Sequence, residues 1–201
     1  LFIKINGVYH LRGIMSKQPS EGSCDVNNFS IFTNVLKFKP WIKSKKNSEE
    51  CGVMSSSTGL IQGGEISSRR EFPWMALIVA RNLHNSSAAL ITLRHVITHP
   101  DAVTDYDYNS EKYERITMDR IKIYLGTEGN DDYKVITDPS RIVIHPNYQN
   151  VDGTDIYAIA VIKLKSSVTF SDFIRPACMW NFDSDNIELI KRSPIYAVGY
   201  G

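Results

Sequence analysis

Apolar and polar residues alternate with a period close to two along most of this chain, the signature of half-buried strands. Leu-Phe-Ile-Lys-Ile opens at Leu1, Asn6-Gly7 follows, and Val8 to Met15 is again β-prone. Asn-Gly between two such runs predicts a hairpin, because both residues tolerate positive φ. A third strand is expected at about Phe29 to Val35. Pro40 suits the first turn of a short amphipathic helix that buries Trp41 and Ile42. Ser44 to Leu60 holds lysines, acids and serines with few large apolar residues, and reads as a linker interrupted by Cys51-Gly52. Beyond Ile61 the expected strands are Trp74–Ala80, Ala88–Thr98, Ile121–Leu125, Tyr133–Thr137, Arg141–Ile144, Ile156–Leu164 and Ile195–Val198. Turn signals separate them at Gly126-Thr127-Glu128-Gly129, His145-Pro146-Asn147 and Asp152-Gly153-Thr154. Met118–Leu125 is assigned to strand because Ile121 and Ile123 alternate with Lys122 and Tyr124. The class is all-β, a closed barrel or sandwich.

Composition narrows the possible functions. Apolar residues make up 42% of the 201, enough for a packed core in one large domain or two small ones. The net charge is +1 with Lys and Arg scattered, which gives no nucleic-acid footprint. The one basic run, Lys43 to Lys46, reads as a solvated helix end. No apolar stretch approaches the roughly 20 residues of a membrane span. The chain begins at Leu1 inside a strand, and Ala197-Val198-Gly199-Tyr200-Gly201 reads as an unfinished strand, so a fragment of a longer precursor is expected. Its three cysteines are Cys24, Cys51 and Cys178, an odd count that suits a fragment in which one disulfide has lost its partner. No CxxC or Cys/His spacing suits zinc, and neither metal nor cofactor is expected. The sequons at Asn28 and Asn85 permit glycosylation of a secreted protein.

A set of motifs then points to a family. In order these are Ile61-Gln62-Gly63-Gly64, Phe72-Pro73-Trp74, Leu90-Ile91, Val96-Ile97-Thr98, His145-Pro146-Asn147-Tyr148, Ile159 to Leu164, Arg175-Pro176-Ala177-Cys178 and Val198-Gly199-Tyr200-Gly201. Each is weak alone, but their order and spacing over about 140 residues resemble the front of a trypsin-like serine protease domain. Residues 1–44 resemble the C-terminal end of the same kind of domain. Tyr9 to Ser16 resembles the strand leading to the substrate pocket, Cys24 the pocket-rim cysteine, and Phe32 to Val35 with Trp41-Ile42 the terminal strand and helix. The resemblance implies a Greek-key barrel at 61–201, a linker or propeptide at 45–60, and a partial second barrel at 1–44.

That family works through a serine nucleophile, a histidine base and an aspartate that orients the histidine. Where its histidine follows Thr-Ala-Ala, this chain reads Thr98-His99-Pro100-Asp101-Ala102. Asp101 therefore stands in the histidine slot and Ala102 in that of the adjoining cysteine, whose partner slot holds Ser86. The catalytic aspartate normally opens a strand that here reads Ala158-Ile159-Ala160-Val161-Ile162-Lys163-Leu164, so Ala158 takes its place. Asp155 is three residues earlier; on a continuous strand it would face the other way and reach the role only through a bulge. His95 and His99 are the candidate substitute bases, read as a strand residue and a loop residue. The serine slot lies beyond Gly201. No intact triad is expected in this domain.

The resemblance implies further sites. The family is activated by cleavage before the Ile of Ile-x-Gly-Gly, usually after Arg or Lys; Leu60 precedes Ile61 here, and Arg69-Arg70 reads as a solvated turn. Ser16-Lys17-Gln18 stands where the family has Ser-Trp-Gly, with Gln18 narrowing the pocket of the first domain. A disulfide between Cys51 and Cys178 is expected by analogy with the bond that tethers a propeptide to its protease domain. The function expected is that of a secreted, non-cleaving protease homologue of arthropod haemolymph type. Its partners would be other extracellular proteins such as cascade proteases, without nucleic acid or membrane. The alternative is part of an active endopeptidase whose triad lies upstream of Leu1, and a lectin-like surface binder is a third reading.

Overall fold

Asn6 and Gly7 carry the positive φ values of 50° and 82° that the hairpin requires, and they join β1 (Phe2–Ile5) to β2 (Val8–Leu11). This is a computed structural model, describing residues 1–17, 31–42, 51–53, 72–80, 84–107, 112–127, 133–151, 154–180 and 187–200. The apolar run expected from Val8 to Met15 breaks at Arg12, and β3 (Gly13–Lys17) turns away to pair with β4 (Ile31–Asn34). A 3₁₀ turn, Val35–Phe38, leads into α1 (Lys39–Ile42). Trp41 and Ile42 are half-buried there rather than enclosed.

The remainder is built on one seven-stranded sheet. Its members are β5 (Met75–Ala80), β6 (His84–Thr92), β7 (His95–Thr98), β10 (Ile121–Thr127), β11 (Tyr133–Thr137), β12 (Pro139–Ile144) and β15 (Ala160–Leu164). The spatial order is β11-β10-β5-β6-β7-β15-β12. Two hairpins project from it, β8 (Thr104–Asp107) with β9 (Lys112–Arg115), and β13 (Gln149–Val151) with β14 (Thr154–Ile156). β16 (Cys178–Met179) and β17 (Ile195–Tyr196) flank the first hairpin in a four-stranded sheet ordered β16-β2-β1-β17, and α2 (Ile187–Lys191) precedes β17. The all-β class expected from the sequence is present.

The sheet forms because alternate residues bury. Ile121, Ile123 and Leu125 are fully enclosed while Lys122 faces solvent, and Met118–Arg120 ahead of them makes a 3₁₀ turn instead of extending the strand. With Trp74, Ile78, Leu90, Ile97, Ile159 and Ile162 they fill one core. The first hairpin joins that core: Tyr9 lies 5.2 Å from Trp74 and 5.8 Å from Phe72, and Phe2 lies 5.3 Å from Trp74. Aromatic contacts at these separations are favourable beyond the area they bury. The two stretches that resemble different ends of a protease domain thus share one hydrophobic interior.

Two expectations are corrected. Ala88–Thr98 is two strands, turned at Leu93-Arg94. The Thr92 hydroxyl accepts from Arg94 N at 3.2 Å and contacts His95 Nδ1 at 2.8 Å, stabilising a turn that contains no glycine, proline or asparagine to announce it. Ile156–Leu164 is also divided. Tyr157 takes φ 55°, and Ile159 N donates to Tyr157 O at 2.8 Å, a three-residue turn centred on Ala158. The tether expected within the linker is present. Cys51 and Gly52 are buried, Cys51 is disulfide-bonded to Cys178 with Cα atoms 4.9 Å apart, and Gly52 bridges Tyr9 N (2.9 Å) and Pro176 O (2.7 Å). The cross-link joins residues 127 apart and stabilises the fold by removing loop-closure entropy from the unfolded chain.

Candidate functional site

β7 ends at Thr98, whose hydroxyl donates to Ser87 O at 2.8 Å, and the chain then makes one 3₁₀ turn over Pro100–Val103. Proline's fixed φ suits the start of that turn. His99 caps it, its Nδ1 accepting from Asp101 N at 3.3 Å. Ala102 and Val103 point into the core, and Asp101 is left at the surface, 54% exposed. Thr98 is paired with Ala160 of β15, so residues 99–101 and the turn through Ala158 share one end of the β7–β15 pair.

The methyl of Ala158 is completely buried. A carboxylate in its place would be desolvated, and without an imidazole to pair with would cost several kcal/mol, about 3–5 when a buried pair loses one partner. The combination of Asp101 and Ala158 avoids that cost.

Asp155 does not take over the position of Ala158. The break at Tyr157 places it on the separate β13–β14 hairpin, where the facing rule for a continuous strand does not apply, and its carboxylate reaches His99. Asp155 Oδ2 stands 3.4 Å from His99 Nε2, and Asp101 Oδ2 stands 3.4 Å from His99 Nδ1. Both aspartates also meet Tyr148, whose hydroxyl is 3.1 Å from Asp101 Oδ1 and 3.3 Å from Asp155 Oδ1. Asn150 Nδ2 donates to Asp155 Oδ1 at 2.9 Å. Burial, followed by the two carboxylates, pushes the Tyr148 phenol far above its ordinary range, so it remains a neutral donor.

This His–Asp pair differs from a catalytic one. The Nδ1 face of His99 is covered by the backbone N–H and carboxylate of Asp101, and its Nε2 face is turned to Asp155. Neither nitrogen is presented to a substrate hydroxyl. His95, the other substitute considered, is a strand residue held against Thr92. His145 of the His-Pro-Asn-Tyr motif is stacked on Tyr157 at 5.0 Å with Trp41 5.0 Å away on the tail helix, and burial lowers its pKa.

The other expected sites are placed as follows. Ser16 ends the substrate-type strand, its hydroxyl 2.6 Å from that of Thr33, and Lys17 closes β3. Asn85 is exposed on β6. Gln18, Cys24, Asn28, Leu60, Ile61, Arg69 and Arg70 lie outside the described residues. Sequence reasoning missed the part played by Tyr148 and Asn150. Tyr148 was visible as a motif residue, but nothing in its spacing shows that it bridges Asp101 and Asp155.

Comparison with known proteins adds a second line of evidence. A family profile described as Trypsin matches residues 61–201. CLIP domain-containing serine protease B8 of Anopheles gambiae is 28% identical over 156 residues, covering 69% of this chain and 38% of that protein. CLIP domain-containing serine protease B15 of the same species is 30% identical over 172 residues, covering 77% of this chain and 44% of that protein. Melanization protease 1 of Drosophila melanogaster is 27% identical over 155 residues, covering 70% of this chain and 38% of that protein. The chain spans less than half the length of each of these relatives.

Proposed function

The chain belongs to the trypsin family, and we propose from that premise that its family-matching part, residues 61–201, is a non-cleaving homologue that binds other proteins. The observation carrying this reading is the pair of replacements, Asp101 in the histidine slot and the fully buried Ala158 in the aspartate slot. Loss of triad members lowers turnover by about 10⁴-fold or more even when the remaining site is intact. The closed environment of His99 supports the same reading, since a general base needs an accessible nitrogen within hydrogen-bond reach of the nucleophile.

In this proposal residues 1–44 are the tail of a preceding domain of the same family, and 45–60 link the two. The protein acts outside the cell, as a regulatory module among other extracellular proteins, with cascade proteases as the partner class. The names of these three relatives, a melanization protease and two CLIP-domain proteases, support a setting in defence proteolysis. The disulfide suits an oxidising compartment.

The test is an active-site fluorophosphonate probe applied to the complete second domain in its natural precursor. The expected result is no labelling of that domain's serine under conditions that label an active trypsin. Stoichiometric labelling overturns the proposal.

A further inference from the structure

The seven-stranded sheet ends at β12, which is hydrogen-bonded to β15 alone. Opposite β12 stand residues 115–118, which run from the end of β9 into the 3₁₀ turn at Met118. The two walls bound an open groove of about 650 Å³. The geometry points to this groove as a docking site for an extended acidic segment of another protein, added to β12 as a further strand. This site gives the binding module proposed above its partner class, and rests on that reading for the partner's being a protein.

The first support is the backbone. β11 pairs with β10 as far as Thr137, opposite Ile123, and β12 then diverges to pair with β15. A bulge between Pro139 and Arg141 accompanies the change of direction, as bulges bend the strand that carries them. The groove is the gap that this divergence opens. Beyond their ladder with β15, residues 141–144 make no backbone hydrogen bond among the described residues. The outer edge of such a strand presents a row of unpaired N–H and C=O groups, a template for another extended chain.

The second support is charge. Arg115 and Arg141 stand on the two walls, both exposed, and the lining contains no acidic residue; Glu114 and Asp119 flank the groove without lining it. Neither guanidinium has a carboxylate partner among the described residues. A guanidinium offers a planar fork of donors that matches a carboxylate. Two of them on facing walls suit a chain that carries acidic side chains and lies between them.

The apolar lining adds the pattern of the partner. Ile116 and Ile142 are buried, Val143 is half-buried, and Met118 is 44% exposed, so an apolar strip lies beside the arginines. Methionine adapts its shape to what it meets. Arg141 and Val143 fall on the same face of β12, because strand side chains alternate. The matching segment therefore carries acidic and apolar residues at alternate positions. Main-chain pairing supplies its affinity, and the arginines and the strip supply its specificity.

The test follows the fluorescence anisotropy of a labelled short peptide, alternating glutamate with leucine, as the full chain is added with its disulfide intact. Binding should be saturable and should weaken with salt. Arg115→Ala and Arg141→Ala change exposed side chains and should each weaken it by about 10-fold. Methylating the peptide's backbone amides, which leaves its charge unchanged, should also weaken it by about 10-fold. No saturable binding at about 1 mM peptide, unchanged affinity in either arginine variant or for the methylated peptide, or tighter binding of a heparin-type polysaccharide would overturn the inference. The two readings fail separately: fluorophosphonate labelling of the second domain's serine overturns its non-cleaving character and leaves peptide affinity as it is, whereas loss of the groove leaves labelling as it is.

Discussion

Replacing Gly52 with alanine should undo the lock between the N-terminal hairpin and the main sheet. Gly52 has φ +66°, a conformation that costs an L-residue about 1–2 kcal/mol. A Cβ at this position would clash with the Tyr9 carbonyl oxygen and come within 2.8 Å of Val8 Cγ1 and 2.9 Å of Tyr9 N. The neighbouring atoms are largely backbone, so relief requires β2 to move away. That movement breaks the bonds from Tyr9 N to Gly52 O and from Gly52 N to Pro176 O, each worth about 1 kcal/mol net. The total loss should be about 3–4 kcal/mol. Gly7 provides the control: it has φ +82° and no atom within 4 Å of its would-be Cβ, so Gly7→Ala should cost only the conformational term, about 1–2 kcal/mol. Urea unfolding at intact disulfide, followed by the fluorescence of buried Trp74 beside Tyr9, measures both variants. A loss for Gly52→Ala no larger than that for Gly7→Ala would refute the reasoning.

Other consequences can be checked in the same way. Converting Cys51 and Cys178 together to serine opens a loop whose ends are 127 residues apart and should lower stability by about 5 kcal/mol, read as a drop in the urea midpoint. Ala158→Asp should cost about 3–5 kcal/mol as an unpaired buried carboxylate, and adding Asp101→His should return at least about 1 kcal/mol; a double-mutant cycle with no coupling would show that the two slots do not face each other. Burial lowers the pKa of His10 below its ordinary 6.5, so the unfolded chain takes up more protons than the folded one as the pH drops. This contribution is complete above about pH 6.5 and is lost as pH falls toward the folded value; His10→Gln should flatten the dependence of thermal stability on pH between 7 and 5, and an unchanged slope would discount it.

The sequence alone determined much of the local architecture. Alternation at Ile121, Ile123 and Leu125 marks a strand because a pleated backbone sends successive side chains to opposite faces, and the Asn6-Gly7 turn is legible because few residues accept positive φ. The ordered motifs point to the family, and the expectation that Asp101 and Ala158 replace triad residues rests on that resemblance. What the sequence does not carry is the meeting of distant positions. His99 touches Asp155 only because β7 pairs with β15 and the backbone breaks at Tyr157, a residue with no intrinsic preference for positive φ. Gly52 reads as part of a polar linker until the first hairpin closes over it. Local pattern reports which way a side chain faces, whereas register, chain breaks and the packing of separate segments decide which side chains it faces, and those are settled by the burial of the whole core at once.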